Sequence, residues 1–138
     1  MFISLDIEQF NKNNIIISEK TRNNVIDDSF FYRFYYSENV FNTNGIYIKF
    51  NITDIKIEKY YNKLKCIFKN NNNNNKVVEN IINIEEQILD KFYSVSKLPK
   101  TFRISEQLTN SYIKLYCEGF NKFKPYNNIN FLLKISGL

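Results

Sequence analysis

The sequence predicts a mostly β domain with one amphipathic helix, in the order β-β-β-α-β-β. Three observations predict it. Apolar and polar residues alternate over residues 46–52, 63–69, 111–117 and 130–136, which is the period of a strand buried on one face. Between the second and third of these runs, apolar residues fall at spacings of three and four, which is the helical period. At 138 residues the chain suits a single domain and can bury a core without disulfide staples.

Each element has its own signal. In residues 1–29, Ile3, Leu5 and Ile7 alternate, residues 14–18 read as a short buried strand, and Asn23-Asn24 and Asp27-Asp28 mark turns. Residues 30–36 form an aromatic strand. Asn44-Gly45 is a turn signal, because both residues tolerate positive φ. In the next strand Ile46, Ile48, Phe50 and Ile52 share one face, and Tyr47, Lys49 and Asn51 share the other.

Residues 54–62 are expected to carry the chain round to a third strand, with Leu64, Cys66 and Phe68 inward and Lys63, Lys65, Ile67 and Lys69 outward. The asparagine run 70–75 reads as a solvated, mobile loop that adds no packing. Val77, Ile81, Ile84, Ile88 and Phe92 then mark one stripe of a helix over 77–93, with its acidic face in solvent. Glu85 and Glu86 project differently from that helix, without partners. Pro99 ends the segment. Residues 102–108 fit no single period. Ile113, Leu115 and Cys117 point inward from the fourth strand, residues 118–128 form a long loop, and Phe131, Leu133 and Ile135 line the fifth strand.

This order matches a five-stranded OB-fold barrel, whose helix between the third and fourth strands plugs one end. Residues 1–29 would be an N-terminal extension packed on a single domain of residues 30–138. An α+β sheet covered by one helix gives the same string of elements and stands as the alternative.

Composition removes several chemistries. The chain has no His, no Trp and no Ala, so Ser-His-Asp catalysis and His-ligated zinc are excluded. Its three glycines form no phosphate-cradling loop. Cys66 and Cys117 match no metal-ligand spacing and read as small buried hydrophobes in a reducing compartment. Asp27-Asp28 could hold Mg²⁺ with a third carboxylate, but a turn or a solvated pair is the stronger reading. No apolar run approaches the ~20 residues that span a bilayer, and no signal peptide is apparent. The expectation is a non-enzymatic intracellular protein with no cofactor, no metal and no membrane partner. Asn51-Ile52-Thr53 matches a glycosylation sequon, to which this setting gives no role.

The net charge of +5 is unevenly placed. Residues 63–76 carry +4 and residues 94–138 carry +5, against −3 for residues 77–93 and −1 for residues 1–62. Asn, Ile, Lys, Tyr and Phe are the residues that AT-rich coding favours, so the pattern carries the argument rather than the abundance. OB-folds bind oligonucleotides on strands 2–3 and in the loops between strands 1–2 and 4–5. Those places here hold Tyr47 and Lys49, Lys63, Lys65 and Lys69, and the loop residues Phe120, Lys122, Phe123, Lys124 and Tyr126. The fourth strand adds Tyr112, Lys114 and Tyr116, and the aromatic strand adds Arg33. Ammonium groups that follow phosphates, with rings that stack on splayed bases, are what a single strand needs. With only three arginines, bidentate guanine reading is poorly supplied, and little sequence specificity is expected.

Residues 30–36, 45–50 and 131–138 resemble the single-stranded-DNA-binding proteins of large DNA viruses and related mobile elements. The resemblance covers residues 30–138 and rests on strand patterns. It implies an OB-fold that coats single-stranded DNA in replication or recombination, in the host nucleus or a viral replication site. It also implies contacts with replication proteins or a second copy, often through an acidic C-terminal tail that these 138 residues do not contain. DNA is favoured over RNA. The alternative function is a non-enzymatic protein-interaction or virion structural module, with exposed aromatics as its contact patch.

Overall fold

A computed structural model describes residues 4–22, 30–38, 41–60, 63–93, 100–115 and 125–138. In chain order the elements are β1 (Leu5–Asp6), β2 (Ile15–Arg22), β3 (Phe30–Glu38), β4 (Phe41–Asn44), β5 (Ile46–Tyr60), β6 (Lys63–Phe68), α1 (Asn72–Tyr93), α2 (Arg103–Thr109), β7 (Tyr112–Leu115) and β8 (Pro125–Ile135). Short 3-10 turns occupy 7–9 and 12–14. The fold is β-rich α+β. Two expectations are corrected. The described residues hold two helices rather than one, and their sheets are open rather than closed into a barrel.

The chain divides into two compact units, residues 1–49 with 132–138 and residues 50–131. In the first, β2, β3 and β4 form an antiparallel sheet. The aromatic strand is as expected, with Phe34 and Tyr36 fully buried. The Tyr36 hydroxyl accepts from Asn11 N at 3.1 Å and Asn14 Nδ2 at 3.3 Å, and donates to Glu38 Oε1 at 3.4 Å. Thus this large side chain is buried without an orphaned polar atom. β2 is longer than expected and not buried on both faces, since Ile16 is 53% exposed. β1 pairs parallel with β5, Leu5 beside Ile48.

Asn44-Gly45 makes no hairpin. Gly45 has φ +100 and donates its N–H to Phe34 O at 2.9 Å, between β4 and the start of β5. The glycine lets the strand leave one sheet and enter another. Beyond β8, Ser136–Leu138 lie along β3. Ser136 O accepts from Phe34 N at 2.9 Å, and Leu138 N donates to Tyr32 O at 2.9 Å. A Cβ on Gly137 would sit 2.0 Å from Tyr32 O, so only glycine fits this approach.

In the second unit β5 pairs antiparallel with β6, and β6 with β7. The turn expected over 54–62 does not begin at its first residue. Residues 54–60 instead continue β5. The buried positions pass from Phe50 and Ile52 to Ile55 and Ile57, so the inward parity changes in mid-strand. The change occurs at Asp54, which has φ 54. Such a left-handed residue is the mark of a bulge that inserts one extra residue. Aspartate is among the few non-glycine residues that adopt this conformation, and here its Oδ2 is held from the start of α1 by Asn71 Nδ2, which donates to it at 3.0 Å.

The asparagine run is not a loose loop. Asn71 caps α1 by accepting from Asn74 N at 2.8 Å, and α1 begins at Asn72. Asn74 is 0% exposed. Its Oδ1 accepts from Thr53 N (2.9 Å) and Thr53 Oγ1 (3.1 Å), and its Nδ2 donates to Thr53 O (2.7 Å) and Lys69 O (2.8 Å). The amide thus uses every donor and acceptor, which its burial demands. The expected stripe of α1 is buried at Ile81, Ile84, Ile88 and Phe92, and Leu89 joins it.

Glu85 corrects the reading of an acid without a partner. It is 7% exposed. Its carboxylate accepts from Ile104 N at 2.8 Å, Ser105 N at 3.0 Å and Ser105 Oγ at 2.6 Å. It therefore satisfies the first free N–H groups of α2, which the ambiguous residues 102–108 form. In the described part of the long loop expected at 118–128, residues 125–128 belong to β8. No described helix is long and apolar enough to cross a membrane.

Candidate nucleic-acid interface

The strongest cluster of predicted residues lies on the β6–β7 pair. Register sets Lys65 opposite Lys114 and Ile67 opposite Tyr112. Period-two alternation puts Lys63, Lys65, Ile67, Tyr112 and Lys114 on one face. Leu64 and Cys66 face the other way and are buried. β5 extends the polar face, with Glu58 opposite Lys65 and Lys56 opposite Ile67.

Two ammonium groups directly opposite each other repel. Tyr112 takes up part of that cost. The Lys65 Nζ stands 4.7 Å from the Tyr112 ring centroid and the Lys114 Nζ 5.6 Å, both within the ~6 Å reach of a cation–π contact. Glu58, the one acid on this face among the described residues, forms an exposed ion pair with Lys56 at 3.8 Å. The face therefore keeps an excess of positive charge, with one tyrosine beside two facing lysines. Lys114 is exposed, while Lys65, Lys63 and Tyr112 are half-buried. The Gln107 side chain of α2 accepts from Lys114 N at 3.4 Å. Exposed Lys69 lies one residue past β6, where its backbone is held by Asp54 and Asn74 rather than by this face.

Three predicted residues belong to the other unit. Tyr47 and Lys49 point outward from β5, and Lys134 of β8 places its Nζ 5.5 Å from the Tyr47 ring centroid. Lys134 is absent from the predicted set. The inward triplet Phe131, Leu133 and Ile135 already implied that Lys134 faces outward, so the signal was readable. Arg33 is half-buried and committed locally. Its Nη1 donates to Asn44 Oδ1 at 3.1 Å, and its guanidinium lies 5.7 Å from the Phe31 ring centroid.

Tyr116, Phe120, Lys122, Phe123 and Lys124 lie outside the described residues, as do Asp27, Asp28 and Cys117, and so does the Tyr126 side chain. Among the described residues no three His, Cys, Asp or Glu groups are placed to hold a metal. Comparison with protein-family models, curated proteins and solved structures returns no match.

Proposed function

We propose that this chain is a non-catalytic binder of single-stranded nucleic acid, with the β6–β7 face as a principal contact surface. The observation that carries the reading is the cross-strand pair Lys65 and Lys114, both within cation–π reach of the neighbouring Tyr112 ring. Ammonium groups spaced along a sheet face follow a phosphate backbone, and a ring beside them offers a base a stacking partner. The preference for DNA, and a setting in viral or mobile-element replication or recombination, rest on the strand-pattern resemblance. An OB-like order of elements belongs to the same reading, which asks for a basic, aromatic sheet face rather than a closed barrel.

The test is a fluorescence anisotropy titration with labelled oligo-dT and with duplex of equal length, across a salt series. With about four phosphates neutralised at about −0.7 each, log K against log salt has a slope near −3. No binding at low salt, or equal binding to duplex, defeats the proposal.

A second reading, a protein-interaction or virion structural module, draws on Ile16 and Tyr35. They are cross-strand partners, 53% and 38% exposed. A stable oligomer by light scattering, with no oligonucleotide affinity, would favour it.

A further inference from the structure

The inner face of β3 changes character along its length. Tyr36 and Phe34 are fully buried, Tyr32 is half-buried, and Phe30 is 56% exposed. β2 follows the same change. Ile15 and Ile17 lie opposite Tyr36 and Phe34, and then the register shifts. Ser18 and Glu19 stand against Arg33 alone, whose N–H donates to Ser18 Oγ at 2.9 Å. This bulge brings Lys20 opposite Tyr32 and Arg22 opposite Phe30. One face that is core at one end thus becomes a cationic, aromatic overhang at the other.

The Lys20 Nζ sits 4.4 Å from the Phe30 ring centroid, and Arg22 is exposed beside it. Phe30 remains more than half exposed with the ammonium on it, so ring surface is left for another flat group. Lys20 and Arg22 share this face, and the exposed Glu19 stands in the bulge beside them. That combination of paired cations and an open phenyl ring complements a phosphate chain that carries unstacked bases.

We propose that the end of the β2–β3 ribbon, through Lys20, Arg22 and Phe30, is a further contact surface for single-stranded nucleic acid. Phe30 stacks a base, and Lys20 and Arg22 bind the flanking phosphates. The inference rests on the single-strand reading above but uses different residues.

The experiment repeats the oligo-dT salt series with K20A/R22A, F30A, F30Y and K65A/K114A. K20A/R22A is expected to bring the slope about 1.4 closer to zero, because two phosphates are no longer neutralised. F30A is expected to weaken binding about tenfold, and F30Y to restore it. K20Q/R22Q, which keeps aliphatic stems over the ring, serves if K20A/R22A alters the thermal melt. If the ribbon variants bind as wild type while K65A/K114A is impaired, the ribbon proposal fails and the single-strand reading stands. If the wild-type chain binds no oligonucleotide, both fail. If K20A/R22A loses retention on phosphatidylserine vesicles with unchanged oligo-dT binding, the surface serves an anionic membrane and the proposal is overturned.

Discussion

The side-chain amide of Asn74 grips the backbone of Thr53 from both sides, accepting from its N–H at 2.9 Å and donating to its carbonyl at 2.7 Å. One residue in the first turn of α1 thereby fixes the strand backbone next to Asp54.

That arrangement separates Asn74 from its neighbours of the same type. Asn74→Ala strands the Thr53 N–H and two carbonyls, at about 1–3 kcal/mol for a buried unsatisfied group. A loss of about 3 kcal/mol in urea unfolding is expected. Asn72→Ala and Asn75→Ala, both exposed in α1, should be neutral or gain a few tenths of a kcal/mol from helix propensity. Equal effects at all three positions would contradict the structure.

Glu85 and Glu86 are adjacent but should behave differently. Glu85→Ala uncovers Ile104 N and Ser105 N at the start of α2, and about 2 kcal/mol of stability should go with it. Glu85→Gln keeps one acceptor oxygen and should lie between. Glu86→Ala, on an exposed position, should change stability by less than about 0.5 kcal/mol in the same denaturant titration.

Gly137→Ala forces a Cβ against Tyr32 O and should separate Ser136–Leu138 from β3. The cost is expected at about 1–3 kcal/mol. Faster hydrogen exchange at the Phe34 amide, which is bonded to Ser136 O, would place the damage at this contact. Unchanged exchange would count against it.

On the proposed β6–β7 interface, charge and ring should separate in a salt series. K65A/K114A should bring the slope about 1.4 closer to zero. Tyr112→Leu should weaken binding about tenfold with the slope unchanged. A slope that stays put in K65A/K114A would remove those lysines from the interface.

Alternation and helical spacing made β5 up to Ile52, β6 and the stripe of α1 readable, because each buries one face and water selects that pattern. The Asn74 contact was hidden because six consecutive asparagines carry no period. Which of them is buried depends on Thr53, far along the chain. α2 was obscure because much of its definition comes from Glu85, whose carboxylate reaches it from α1. The same holds at the candidate site. The outward direction of Lys65 and Lys114 could be read from alternation, but their meeting at Tyr112 depends on register between strands separated by two helices. The ribbon cluster of Lys20, Arg22 and Phe30 depends on a bulge that composition does not signal.

Asp54 also fixes the reading frame of the β5–β6 hairpin. Ahead of it even-numbered positions are buried, and after it odd-numbered ones. Straightening the bulge at constant length would turn Lys56 and Glu58 toward the core in place of Ile55 and Ile57. Deleting Asp54 itself would straighten the strand and still leave every isoleucine facing inward. Deleting two residues would bring the wrong face round again unless the bulge survived. The segment therefore tolerates changes in length by parity rather than by size, and this single left-handed residue keeps the count.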